Sequence, residues 1–201
     1  MKYVKTLGLA AIAAMALMAF LGTAGASATV IECETQPPKA GCEIVLSIKI
    51  GGSASLVNTS NEELDTCTSS TVKGVVTNAG SSTTTATGSV EELTWGSCTF
   101  STKTITAGKL EVHHISGSEN GTVTADGTFE ITINTVFFGS CIYGVTSGTD
   151  IGVLTAGAPG SFDANAVAEK FSGSAFACPS TSKWTATYGV TKPKHIQITL
   201  G

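Results

Sequence analysis

The chain has 201 residues, of which 42% are hydrophobic and only 13% charged, and its formal net charge is −4 at pH 7. All of its basic side chains are lysines, with no arginine and no basic cluster. Without a charged stripe or a guanidinium fork for phosphate oxygens, nucleic-acid binding and recruitment to an anionic membrane surface are both disfavoured.

The first residues read as an export signal. Lys2 and Lys5 form a basic start, Leu7 to Leu21 is a nearly unbroken apolar run, and Ala26-Ser27-Ala28 supplies the small side chains of a cleavage site. Cleavage is expected after Ala28, leaving residues 29–201 as one soluble domain. Removal of Lys2 and Lys5 leaves nine lysines against fifteen acidic residues, a charge of −6. No later stretch is apolar enough to span a bilayer as a helix.

Cys33, Cys42, Cys67, Cys98, Cys141 and Cys178 all follow the signal. An even number of cysteines in an exported chain reads as disulfides. Six cysteines allow fifteen pairings, which sequence does not decide. The expected set is sequential, Cys33 with Cys42, Cys67 with Cys98 and Cys141 with Cys178, because chain neighbours in an antiparallel sheet are usually spatial neighbours. No CxxC pair occurs, so a zinc ribbon or a thioredoxin-like site has no support.

Pro37-Pro38 and Gly41 predict a turn, and Glu43 to Ile50 a strand with Ile44, Leu46, Ile48 and Ile50 on one face. Ser55 to Asn58 is a short second strand, and Asn61 to Asp65 reads as loop. From Thr71 the chain is rich in Gly, Ser and Thr, yet its threonines and valines favour strands over a linker. Two strands joined near Asn78 to Ser82 are expected, the second placing Leu93 and Trp95 on one face, with Trp95 in the core near the Cys98 bridge.

Lys109 to Ile115 alternates, Leu110 and Val112 against Glu111 and His113. Ser116 to Gly121 is a polar loop. A hairpin about Asp126-Gly127 is predicted next, with a three-residue loop setting Val123 across from Ile131 and Ala125 across from Phe129. Val136 to Val145, with Phe137, Phe138, Cys141 and Tyr143, reads as a core strand, and Ile151 to Leu154 as a short one. Asp163 to Phe171 has a helical option and a competing two-residue period through Phe162, Ala164, Ala166 and Ala168; an all-β neighbourhood favours strand. Lys183 to Tyr188 alternates again, Pro193 interrupts, and His195 to Leu200 is expected as a terminal edge strand. About ten short strands predict an all-β, antiparallel, disulfide-stapled sandwich of immunoglobulin-like or jelly-roll type with little or no helix.

Candidate chemistry is sparse. Glu111 and His113 share one strand face, so a carboxylate and an imidazole stand together and could serve as a binding pair, as acid and base, or as two ligands of a metal completed by His195 or Asp150. His114 points the other way and reads as a satisfied core or interface histidine. Glu62-Glu63 and Glu91-Glu92 are adjacent acids better read as solvated surface than as a glycosidase pair. There is no GxSxG elbow, no phosphate-cradling loop and no cofactor motif. Asn58-Thr59-Ser60 and Asn120-Gly121-Thr122 match the glycosylation triplet and mark surface.

The runs MKYVKTLGLAAIAAMALMAF, LDTCTSSTVKG, LTWGSCT, AGKLEVHHISGSENGT and ACPSTSKWTATYGV resemble a group of secreted β proteins of soil actinobacteria, over most of the chain. In layout the chain is also similar to PraB-like secreted proteins of biofilm matrix. The resemblance implies secretion and a β fold and carries no site residue with it. The function expected is that of a secreted, non-enzymatic structural or binding protein, extracellular or loosely associated with the cell wall. Its expected partners are wall polysaccharide or a second copy joined through the C-terminal edge strand. A secreted hydrolase or carbohydrate-active protein using Glu111 and His113 is the alternative, and a metal-binding module a further one.

Overall fold

A computed structural model describes residues 28–34, 39–135, 139–174 and 178–201. The expected export signal therefore lies outside the described residues except for Ala28, as do Pro37-Pro38 and Val136, Phe137 and Phe138. Among the described residues there are fourteen strands and no helix. Every strand pairing is antiparallel.

Four long strands carry the architecture: β4 (Glu63–Asn78), β5 (Ala86–Cys98), β12 (Ser161–Ser172) and β13 (Thr181–Lys192). Between β4 and β13 lies a strand in two pieces, β2 (Glu43–Ile48) and β3 (Ala54–Asn58). Both pieces run in the same direction along the same two neighbours. The order β5, β4, β2/β3, β13, β12 is thus one continuous layer. Ile50 lies in the turn that splits the strand and is fully exposed, so the predicted inward face ends at Ile48. The Gly51-Gly52 pair lets the chain turn out and rejoin, Gly51 having a positive φ of 80°.

The opposite layer has two storeys. The lower one is β7 (Lys109–His114), β8 (Gly121–Ala125) and β11 (Asp150–Thr155), hydrogen-bonded at one margin to Ala86–Ser89 of β5 and at the other to Ser161–Ala164 of β12. The upper one is β6 (Ser101–Thr106), β9 (Phe129–Thr135) and β10 (Gly139–Val145), joined to residues 169–172 of β12. Side chains close its other margin. Trp95 Nε1 donates to Thr104 Oγ1 at 3.0 Å, and Thr104 Oγ1 donates to the Leu93 carbonyl at 2.8 Å. The sandwich is consequently stitched along its edges, which removes most open strand edges.

A ribbon of β1 (Thr29–Cys33) and β14 (Ile196–Leu200) lies against the lower storey. It buries Ile31, Ile196 and Ile198. Thr29 Oγ1 accepts from the His114 amide at 2.7 Å, Ile31 N donates to the Ala79 carbonyl at 2.9 Å, and Ile196 and Gly157 bond in both directions. Gly80, at a φ of 86°, passes so close to β1 that an added Cβ would sit 1.8 Å from the Thr29 carbonyl oxygen. Only glycine fits there.

The period-two reading of Phe162, Ala164, Ala166 and Ala168 holds: all four are buried along β12, while Asp163, Asn165, Val167 and Glu169 are exposed. The three sequential disulfides form, Cys33–Cys42, Cys67–Cys98 and Cys141–Cys178. Such bonds mark an oxidising, non-cytoplasmic environment. Among the described residues no helix is long and apolar enough to cross a membrane.

Three expectations need correction. Glu63 to Asp65 belongs to β4 and not to a loop, because Asp65 turns inward and is held by hydrogen bonds. The strands β1 and β6 were not anticipated; one is too short to show a pattern and the other is mostly Ser and Thr. The Asp126-Gly127 hairpin does not form. Both edges of β8 are already occupied, by β7 and β11, and β9 pairs with β10 and β6 instead. Asp126 N donates to the Lys109 carbonyl at 2.7 Å, and the chain crosses from the lower storey to the upper. The inward faces were nonetheless right, since Val123, Ala125, Phe129 and Ile131 all pack in the core.

Candidate functional site

Glu111 and His113 stand on the outer face of β7, as the alternation requires with Leu110 and Val112 inward. Glu111 Oε2 is 3.5 Å from His113 Nε2, and Nε2 is also 3.2 Å from Thr124 Oγ1 on β8. The side chains are 37% exposed for His113 and 39% for Glu111. Asp150 pairs with Thr124, which pairs with Glu111, so it lies on the same face but two strands away. At roughly 4.8 Å per strand this separation is too large for one ion. Among the described residues no third ligand joins Glu111 and His113, and His195 does not approach them. The pair sits on the outer face of the sheet, and neither residue lines a described pocket.

Asp65, Cys67 and Cys98 do bring three ligand-type atoms within 4.8 Å of one another. Both cysteines are spent in the disulfide between them, and Asp65 has a structural use. It is 3% exposed and accepts from the Phe100 amide at 2.9 Å and from the Thr102 hydroxyl, which ties β4 to the β5–β6 turn.

The acidic pairs are surface features. Glu62 accepts from Asn58 Nδ2 at 2.7 Å, and Glu92 pairs with Lys73 at 2.6 Å. A bulge between Lys73 and Gly74 leaves Glu91 without a partner across the ladder. The Glu92 carboxylate raises the Lys73 pKa, and the hydrogen bond from Lys192 lowers that of Glu43. Both asparagines of the glycosylation triplets are half-buried and organise turns. Asn58 Oδ1 accepts from the Ser60 and Glu62 amides, and Asn120 Oδ1 from the Ala156 amide.

A concave feature of the described residues lies among the core side chains. A cavity of about 150 Å³ lies between the two layers. Its wall is almost wholly apolar and includes Leu110, Val112 and Val123 of the lower storey, Phe129 and Ile131 of the upper one, and Ala166, Trp95 and Trp184. Its origin is the small side chains of the long layer. Ala166, which faces Trp184 across the β12–β13 ladder, and Ala168 bring only methyl groups to the wall, and Gly74 and Gly88 bring no side chain from β4 and β5. That run of inward alanines was legible in the sequence; that the side chains of the other layer leave a void opposite it was not.

The polar groups of the interior are few. The Tyr188 hydroxyl lies 3.1 Å from Ser70 Oγ, and Tyr143 donates to the Pro179 carbonyl at 3.1 Å. Burial pushes the pKa of each phenol up to about 12. Trp95 and Trp184 meet edge to face with ring centroids 5.8 Å apart. Trp95 is bonded to Thr104, whereas Trp184 Nε1 is buried with no hydrogen-bond partner, as are Ser182 Oγ and His114 Nδ1. His114 is thus half-buried at the ribbon and not satisfied, contrary to expectation.

Comparison with family models, with curated proteins and with solved structures finds no match to this chain.

Proposed function

We propose that this chain is exported and acts outside the cytoplasm as a non-enzymatic binding protein of the cell envelope or extracellular matrix, engaging wall polysaccharide. The observation that carries this reading is the outer face of the long layer. Asn165, Thr185, Ser55 and Thr66 stand opposite one another across β12, β13, β3 and β4, forming a cross-strand row of hydroxyl and amide groups. Thr94, Thr71 and Ser47 form a second row across β5, β4 and β2. Repeated donors and acceptors on a flat surface suit an extended, neutral chain of hydroxyls. The open setting of Glu111 and His113 supports binding over hydrolysis, because catalysis needs further groups converging on one reacting atom.

Co-sedimentation with insoluble cell-wall polysaccharide tests the reading. Residues 29–201 are expected to pellet with the polysaccharide, Thr185→Glu to remain in solution, and the double variant Glu111→Gln, His113→Gln to pellet as the parent does. A parent protein that stays in the supernatant contradicts the proposal. Shortening of the polysaccharide that disappears in the double variant would establish the hydrolase instead.

A further inference from the structure

The interior cavity supports an inference independent of the outer face. Protein interiors are packed as densely as organic crystals, and a void of this size forfeits contacts along its whole lining. Apolar cavities of about 150 Å³ stay dry and take up molecules the size of benzene. Here the void is lined almost entirely by carbon, so water would find no partners in it.

One residue of the wall also carries an indole N–H without an acceptor, although that nitrogen is itself covered. Trp184 lines the cavity, and its Nε1 is buried without a partner, although the neighbouring Trp95 is fully bonded. Buried donors are nearly always satisfied, and an exception calls for a missing acceptor. Both features are met by one kind of molecule. We propose that the cavity binds a small, neutral, largely apolar molecule of about six to eight carbon atoms that carries a single acceptor oxygen, a carbonyl or an ether, for Trp184 Nε1. Charged groups are disfavoured, since the described wall offers no carboxylate, ammonium or imidazole and its phenol, Tyr143, is kept protonated by burial.

Entry would be at the junction of the two storeys. There β5 passes from its ladder with β7, which ends at Ser89, to its side-chain link with β6 at Leu93. Across this gap runs the bond from Val90 N to the Gly108 carbonyl, 3.0 Å. The Phe129 ring stands against Gly108, where an added Cβ would lie 2.6 Å from it. Leu93, Leu110 and Phe129 are half-buried wall residues at this junction.

Cyclohexanone and methylenecyclohexane are the probes, close in shape and differing in one acceptor oxygen. Both are titrated, up to their solubility limits, into ¹⁵N-labelled residues 29–201 while amide and indole N–H resonances are followed. The two tryptophans of the chain both line the cavity, so each indole signal reports on it directly. Both probes are expected to shift the amides of Val112, Val123 and Ala166, and cyclohexanone alone to move the Trp184 indole signal downfield. Trp184→Phe should still bind both but lose a preference for the ketone of about three- to tenfold relative to the alkene. Ala166→Leu fills the void and should weaken both by about tenfold or more.

Unshifted interior resonances in the parent protein overturn the proposal whatever the variants do. Binding of both probes with a still Trp184 indole signal overturns the acceptor requirement. Undiminished binding to folded Ala166→Leu places the probes elsewhere and also overturns it.

Discussion

Asp65 is a carboxylate among apolar neighbours, kept there by the Phe100 amide and the Thr102 hydroxyl. Asp65→Ala would leave both donors facing a carbon wall, so urea unfolding should show a loss of about 2–3 kcal/mol. Asp65→Asn keeps one acceptor oxygen and should lose less. The two interior tyrosines give a pH signature. In the folded protein they hold their protons to about pH 12, whereas the unfolded chain releases them near 10.0. The unfolded state thus binds fewer protons between these values, and stability should fall as pH rises from 10 towards 12. Ultraviolet titration of residues 29–201 should show no phenolate until close to pH 12 or until unfolding. A normal transition near pH 10 in the folded protein would contradict the burial of both rings. Glu111 and His113, by contrast, are surface groups, and truncating either should change stability by less than about 0.5 kcal/mol.

Among the elements, the disulfides differ in the chain they constrain. Cys33–Cys42 spans a sequence separation of 9, against 31 for Cys67–Cys98 and 37 for Cys141–Cys178. Loop-closure entropy grows with the logarithm of loop length. Replacing Cys141 and Cys178 by serine should therefore cost about 1 kcal/mol more than the same change at Cys33 and Cys42, measured by denaturant unfolding. Strand positions and faces were largely legible because alternation is local. Leu110 and Val112 inward, Glu111 and His113 outward, and the alanines of β12 inward follow from a two-residue period. Pairing partners were less legible. The same alternation in β8 and β9 is compatible with a hairpin or with two strands in different storeys, and the choice rests on whether β11 occupies the free edge of β8. Strands rich in Ser and Thr, such as β6, carry no hydropathy contrast and escape the pattern altogether.

Across the whole molecule, four long strands run past two shorter sheets set end to end, and every proposal about function depends on that arrangement. The flat hydroxyl rows lie on the outside of the continuous layer; the cavity exists because its inward alanines and glycines face a layer divided in two. The candidate site was only half legible for the same reason. Glu111 and His113 could be placed on one face from their spacing, but the absence of a third group near them is a property of distant strands. The cavity is a property of residues separated by most of the chain, from Ile31 to Trp184. Backbone nuclear Overhauser contacts across β8, measured on residues 29–201 with disulfides intact, test the arrangement most directly. The two-storey sandwich predicts contacts from Thr122 to Val153 on one side and to His113 on the other. Backbone contacts from Val123 to Ile131 in their place would restore the Asp126-Gly127 hairpin, merge the two storeys and remove the cavity.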